Sequence, residues 1–137
     1  MIVGGRIVSV EAKKDLDKAP EGMNVNIDIT SLEVTDGRLL VKYSYTIKYL
    51  PDFATMVIKG ELFADEDKDK RKAIEDEWKK SKTLTSDFAE DVLTAVTYSG
   101  STVGTLLAYA INVNAPLNIP RARLNPQAQK RDANTAS

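Results

Sequence analysis

The apolar positions along this chain change their period halfway. In the first half they alternate. In GGRIVSVEAKKD, Ile7, Val8 and Val10 suit a first strand that grows polar toward its end. The loop LDKAPEGM follows, punctuated by Pro20 and Gly22. In NVNIDITSLEV, Val25, Ile27 and Ile29 share one face, while Leu32 and Val34 carry the opposite parity. A one-residue slip of that kind predicts a bulge near Thr30 and Ser31, or a short break. TDGR, Thr35 to Arg38, sets Asp-Gly between two alternating runs and predicts a hairpin turn. Leu39, Val41, Tyr43, Tyr45, Ile47 and Tyr49 then line one face of a third strand, with Lys42, Ser44, Thr46 and Lys48 opposite. LPDF turns the chain at Pro51. ATMVIKGELF makes a fourth strand, with Met56, Ile58 and Leu62 in register and Lys59 and Glu61 opposite. The pattern predicts an antiparallel sheet with one apolar face and one more polar face.

The second half reads with helical spacing. ADEDKDKRKAIEDEWKKSK is rich in helix formers, with acids leading and lysines closing, as the helix dipole favours. Its apolar stripe is only Ala73, Ile74 and Trp78, which predicts a helix mostly in water and pinned by Trp78; an acidic binding arm is the other reading. A second helix begins near Asp87, a candidate N-cap with Glu90 three residues on. Phe88, Val92, Ala95, Val96, Ser99, Val103, Leu107 and Ala110 recur at three- and four-residue steps and define its apolar face. NVNAPLNIPRARL then carries two prolines four apart, which favour extended backbone. NPQAQKRDANTAS has few apolar residues and is expected to be disordered. The expected architecture is α+β: a four-stranded antiparallel sheet followed by two helices packed on one face. Residues 1–124 form one domain and 125–137 a tail.

Within the helical half, Val92 to Pro120 holds no charged residue. The run is long enough to span a bilayer. It is nevertheless studded with Thr94, Thr97, Ser99, Ser101, Thr102, Thr105, Asn112 and Asn114, and acids rather than lysines flank its start. No membrane span is expected. A helix with no charged face can pack on a sheet with one side and on a second subunit with another. Val96, Ser99, Gly100, Val103, Gly104 and Leu107 are the candidate oligomer interface, the small residues permitting close approach. Packing within the chain alone is the competing explanation.

Composition narrows the chemistry. The chain has 137 residues, 42% hydrophobic and 28% charged, with a net charge of −1. That length fits one domain and a sizeable core. The near-neutral balance makes no case for nucleic acid. Without cysteine or histidine there is no thiol nucleophile, no Ser-His pair and no His or thiolate metal site. Adjacent acids such as Glu90–Asp91 and Asp65–Glu66–Asp67 suit helix starts better than catalysis, and Glu75 with Lys79 reads as a helix-surface pair. No enzyme, metal or cofactor is expected. No P-loop motif occurs, so ATP use is not suggested. The start, MIVGGRIVSVEAKKD, is interrupted by Arg6 and is not expected to act as a signal peptide. The cytoplasm is the expected location.

The order of elements resembles the SecB family of export chaperones over about Arg6 to Leu124. GRIVSV falls at that family's first strand. APEGMNVNIDITSLEVTDGRLLVKYSYTIKY resembles its second and third strands with the short turn between them, and ATMVIKGELF its fourth. FAEDVLTAVTYSGSTVGTLLAYA falls at the long helix and NAPLNIPRARL at the proline-containing apolar segment after it. The chain departs from the bacterial pattern in three places. It reads AEDVLTAV where a Pro-Tyr pair is usual, its charged segment Asp65 to Lys82 is longer, and its tail has neither Cys nor His. Those departures point to a distant relative and away from the motor SecA as a partner. The resemblance implies a homo-oligomer, a dimer or a tetramer built as a dimer of dimers. It also implies a holdase that takes unfolded polypeptide into apolar grooves without ATP. Tyr43, Tyr45, Tyr49, Phe53, Leu117 and Ile119 are the candidate groove walls, although the tyrosine face reads equally as core. A structural or adaptor subunit with a dedicated folded partner is the alternative function.

Overall fold

Alternation in the first half becomes four long strands: β1 (Ile2–Lys14), β2 (Gly22–Thr35), β3 (Arg38–Leu50) and β4 (Ala54–Ala64). The helical half becomes α1 (Lys68–Ser81) and α2 (Ser86–Ile111). The computed structural model describes residues 1–18 and 20–115. Leu117, Ile119 and the expected tail 125–137 lie outside the described residues.

The strands form one antiparallel sheet in the order β1-β4-β3-β2, so the first two strands are its edges. The slip read from the sequence is a bulge: Ile29 pairs with Tyr43 and Ser31 with Lys42, leaving Thr30 as the extra residue. It returns Leu32 and Val34, opposite Val41 and Leu39, to the face that Ile29 began. The β2–β3 turn is the Asp36-Gly37 pair, both with positive φ (52° and 76°), the backbone that a tight hairpin matching strand twist requires. β1 bears two further register shifts, between Ile2 and Gly4 and between Ile7 and Ser9.

Both helices pack on the apolar face of the sheet. α2 lies across β1, β4 and β3, and α1 lies against β2. Ile74 and Trp78 of α1 and Phe88, Val92, Val96 and Ala108 of α2 join the inward residues of β3 and β4 in one core. Ala73, expected beside Ile74 and Trp78, is exposed. α1 is capped by Asp67, whose side chain accepts from the Lys70 amide at 2.9 Å, and Arg71 donates to the Gly37 carbonyl at 2.5 Å. That contact ties α1 to the β2–β3 hairpin.

Two expectations about α2 are corrected. Its N-cap is Thr85, not Asp87, which lies in the first turn and there meets the positive helix end. Its inward stripe is Phe88, Val92, Val96, Gly100, Gly104 and Ala108, in steps of four, with Ser101 beside it. The mixed three-and-four face drawn from the sequence runs parallel to the helix axis. A four-step ridge is inclined about 26° to that axis, as a helix lying on a twisted sheet requires. Ala110, expected inward, is therefore exposed, and Ala95, Ser99, Val103 and Leu107 lie half-buried on the flanks.

Candidate functional site

The tyrosines of β3 are the natural starting point, because the sequence placed binding there. Tyr43, Tyr45 and Tyr49 are at most 2% exposed and Phe53 is 9% exposed, so all four are interior to the chain. α2 covers them. The Tyr45 hydroxyl lies 3.5 Å from Ser101 Oγ, and the Tyr49 hydroxyl donates to the Asn114 carbonyl at 2.5 Å. Burial pushes the Tyr49 hydroxyl up to about 12, since the ionised form would lose its water. It pushes Tyr43 up too, against the lowering effect of nearby Ser99. These rings form a platform beneath α2, and two of them still reach open space: Tyr43 lines the groove toward β1 and Tyr49 the hollow beside Met23.

The interface residues chosen from the sequence also divide. Val96, Gly100 and Gly104 face the chain's own sheet. A Cβ on Gly100 would fall 2.5–2.7 Å from three atoms of the Tyr45 ring, so the helix sits as close to the sheet as a residue without a side chain allows. Ser99, Val103 and Leu107 stand half-buried at the border. The outward stripe is a different set: Leu93, Tyr98, Leu106 and Tyr109, the last three 67%, 66% and 79% exposed. Sequence reasoning passed over them, although Tyr98, Thr102, Leu106 and Tyr109 recur at helical spacing as clearly as the inner stripe.

The stripe is less polar than its composition. Thr94, Thr102 and Thr105 return their hydroxyls to the helix carbonyls of Glu90, Tyr98 and Ser101, at 2.9, 2.8 and 2.7 Å. A hydroxyl satisfied four residues back needs no water, and the methyl is left to face outward. The outer side of α2 is thus a band of aromatic, aliphatic and methyl surface with no charge after Asp91.

Apolar surface continues on both sides of α2. Toward β1 a groove of about 820 Å³ opens, floored by Ile2, Gly5, Ile7 and Leu62, walled by Ala95 and Tyr98 and rimmed by Glu90 and Asp91. β1 itself is an edge strand with Val3, Ile7, Val8 and Val10 exposed. A long apolar edge of this kind invites pairing with another strand. Toward β2 lies a narrower lane. Val25, Ile27 and Ile29 sit opposite the buried Ile47, Tyr45 and Tyr43, yet remain half-buried, because α2 lies over β1, β4 and β3. Met23 at its mouth is exposed, beside a hollow of about 190 Å³ shared with Pro20, Tyr49 and Asn114. The far end of the lane meets α1. Nothing in this arrangement gathers reactive groups; it offers alternating side-chain seats along an extended track.

No protein-family model and no curated protein matches the chain. Among solved structures, the chain is similar to the Mycobacterium tuberculosis SecB-like chaperone Rv1957, determined in complex with a ChAD peptide from the Rv1956 HigA1 antitoxin. The TM-score is 0.58 over 90% of this chain and 89% of that one, at 13% sequence identity. At that identity the likeness establishes the fold: four antiparallel strands followed by two helices, SecB-like in arrangement. No helix among the described residues is long and apolar enough to cross a membrane.

Proposed function

We propose that the chain is a subunit of an ATP-independent chaperone that holds extended, apolar stretches of unfolded polypeptide. The observation that carries the reading is the β2 lane, an alternating apolar track left half-covered on a rigid sheet. An extended client places every second side chain on one side, so its spacing of about 7 Å per two residues matches that of Met23, Val25, Ile27 and Ile29. Each seat contributes little, and several in a row, repeated by oligomer symmetry, give avidity. The fold's likeness to a chaperone bound to a peptide supports the same reading. The outer band of α2 and the exposed edge of β1 supply the subunit contacts of a cytoplasmic homo-oligomer, dimer or tetramer.

The decisive measurement is suppression of aggregation of an unfolded client, without nucleotide. Met23→Lys puts a charge at the mouth of the lane on an exposed position and is expected to weaken client binding about tenfold, roughly 1.4 kcal/mol, with little change in stability. No suppression by the unsubstituted protein in molar excess ends the holdase reading.

A second reading is favoured by the peptide in the similar structure, which comes from another named protein, the Rv1956 HigA1 antitoxin. An adaptor of that kind would bind a single partner stoichiometrically and show no affinity for unfolded chains. Pull-down against a panel of unfolded clients separates the two.

A further inference from the structure

We propose that the outer face of the sheet, opposite the helices, is a second docking surface that takes an extended acidic segment of another protein. The proposal concerns a different face from the lane and groove, and it stands whether or not the chain holds unfolded clients.

The register fixes which side chains face outward. On β3 and β4 the core takes Val41, Tyr43, Ile58 and Leu62. Their neighbours Lys42, Ser44, Lys59 and Glu61 therefore point the other way. Both helices pack on the core side, and no helix among the described residues lies over the outer one. Three successive rows cross it: Leu40 beside Phe63, Lys42 beside Glu61, and Ser44 beside Lys59.

Charge on this face is sorted by strand. Lys42, Lys48 and Lys59, on the two central strands, are exposed and make no ion pair among the described residues. The acid beside them, Glu61, is already taken. Arg6 on β1 donates to one of its oxygens from Nε and Nη2, at 3.0 and 2.9 Å. Lys42 and Lys59 are diagonal neighbours, about 7–8 Å apart, and both are left uncancelled. The other outward acids, Glu11, Asp28 and Glu33, lie on the edge strands. The first row ends in an apolar seat. Leu40 and Phe63 are half-buried, the Arg6 guanidinium lies 5.8 Å from the Phe63 ring centroid, and a Cβ on neighbouring Gly4 would meet nothing within 4 Å.

An extended chain presents every second side chain to one side, about 7 Å apart, which is also the spacing of the rows. An apolar residue over Leu40 and Phe63 then sets two carboxylates, at two-residue steps, over Lys42 and Lys59. The Ser44 and Thr46 hydroxyls add donors alongside. The edge acids limit the occupant's width. A single chain fits over β3 and β4 between them, whereas a nucleic-acid duplex would lie on them as well. Single-stranded nucleic acid favours a row of aromatic rings, and this face offers Phe63 alone among the described residues.

The test titrates the full chain with two labelled nine-residue peptides, read by fluorescence anisotropy. Each carries Leu, Glu and Glu at two-residue steps, one in either order, with Ser elsewhere. At least one is expected to bind, less tightly as salt rises from about 50 to 300 mM. Glutamine in place of both glutamates is expected to weaken binding about tenfold. Lys42→Glu/Lys59→Glu, at exposed positions, is expected to do the same. A peptide with lysine in place of both glutamates should bind that variant more tightly than the unsubstituted chain, which also shows the variant to be folded. Gly4→Leu fills the seat and is expected to weaken the Leu peptide about threefold, with no effect on its Ser counterpart. Equal affinity for the Glu and Gln peptides overturns the proposal, as does unchanged binding by Lys42→Glu/Lys59→Glu. Tighter binding of single-stranded DNA than of either peptide gives the lysines to nucleic acid and overturns it too.

Discussion

Gly100 shows how one residue sets the distance between two layers. Replacing glycine by alanine in a helix ordinarily stabilises it, by up to about 1 kcal/mol. Here the added methyl would meet the Tyr45 ring at 2.5–2.7 Å, on a side chain fully buried between helix and sheet. Overpacking of that kind costs about 1–3 kcal/mol. Gly100→Ala is expected to destabilise by about 1–2 kcal/mol in urea unfolding, the clash outweighing the propensity gain. Tyr49 carries a pH dependence. Its hydroxyl titrates near 12 in the folded chain against 10.0 when unperturbed, so the folded state holds the proton more tightly. The stability this contributes is fully present below about pH 10 and is lost as pH rises through 12. Tyr49→Phe removes the titration and the bond to Asn114. It is expected to be less stable by about 1 kcal/mol at neutral pH. Its urea midpoint should also fall less steeply than that of the unsubstituted chain between pH 10 and 12.

Among the elements, β2 holds the clearest lesson about register. Thr30 is unpaired in the ladder, and the residues on either side of it already alternate correctly. Deleting Thr30 therefore leaves Ile29, Leu32 and Val34 on the apolar face, and the fold is expected to survive with a loss of about 1 kcal/mol or less. Deleting Asp28 breaks the alternation between Ile27 and Ile29 and turns Ile29 to the wrong face. With the bulge absorbed, Ile29 is the side chain that changes face, and the change is expected to cost about 1.5–3 kcal/mol, more than deletion of Thr30. Thermal unfolding of the two deletions, side by side, checks the prediction. The parity slip was legible in the sequence because strand period is strictly two. The helix stripe was less legible, because i+3 and i+4 neighbours both lie near a given face. Only the twist of the sheet beneath selects the oblique ridge that buries Gly100 and Gly104 and frees Tyr98, Leu106 and Tyr109.

At the scale of the molecule, α2 carries apolar surface on two sides, and among the described residues only one of them is covered. Leu106→Glu/Tyr109→Glu places charge on the outer band while leaving the inward stripe untouched. Light scattering at micromolar concentration is expected to show an oligomer for the unsubstituted chain and a monomer for this variant. A monomer in both cases removes the proposed subunit contact.

The sequence by itself determined the sheet, the parity slip in its second strand, the hairpin turn, the two helices and the uncharged character of α2. Each is local: a period, a turn dipeptide or a run of residue types states it without reference to anything distant. The sequence also singled out the tyrosines and the glycines of α2 as special. Only the tertiary structure decided how. Tyr43, Tyr45 and Tyr49 could have lined a groove or a core, and α2, lying across β3 and β4, makes them core. By lying there it leaves β2 half-covered and its own far side bare among the described residues. The exposure of a side chain depends on what the rest of the chain sets down over it, and no spacing along the sequence encodes that.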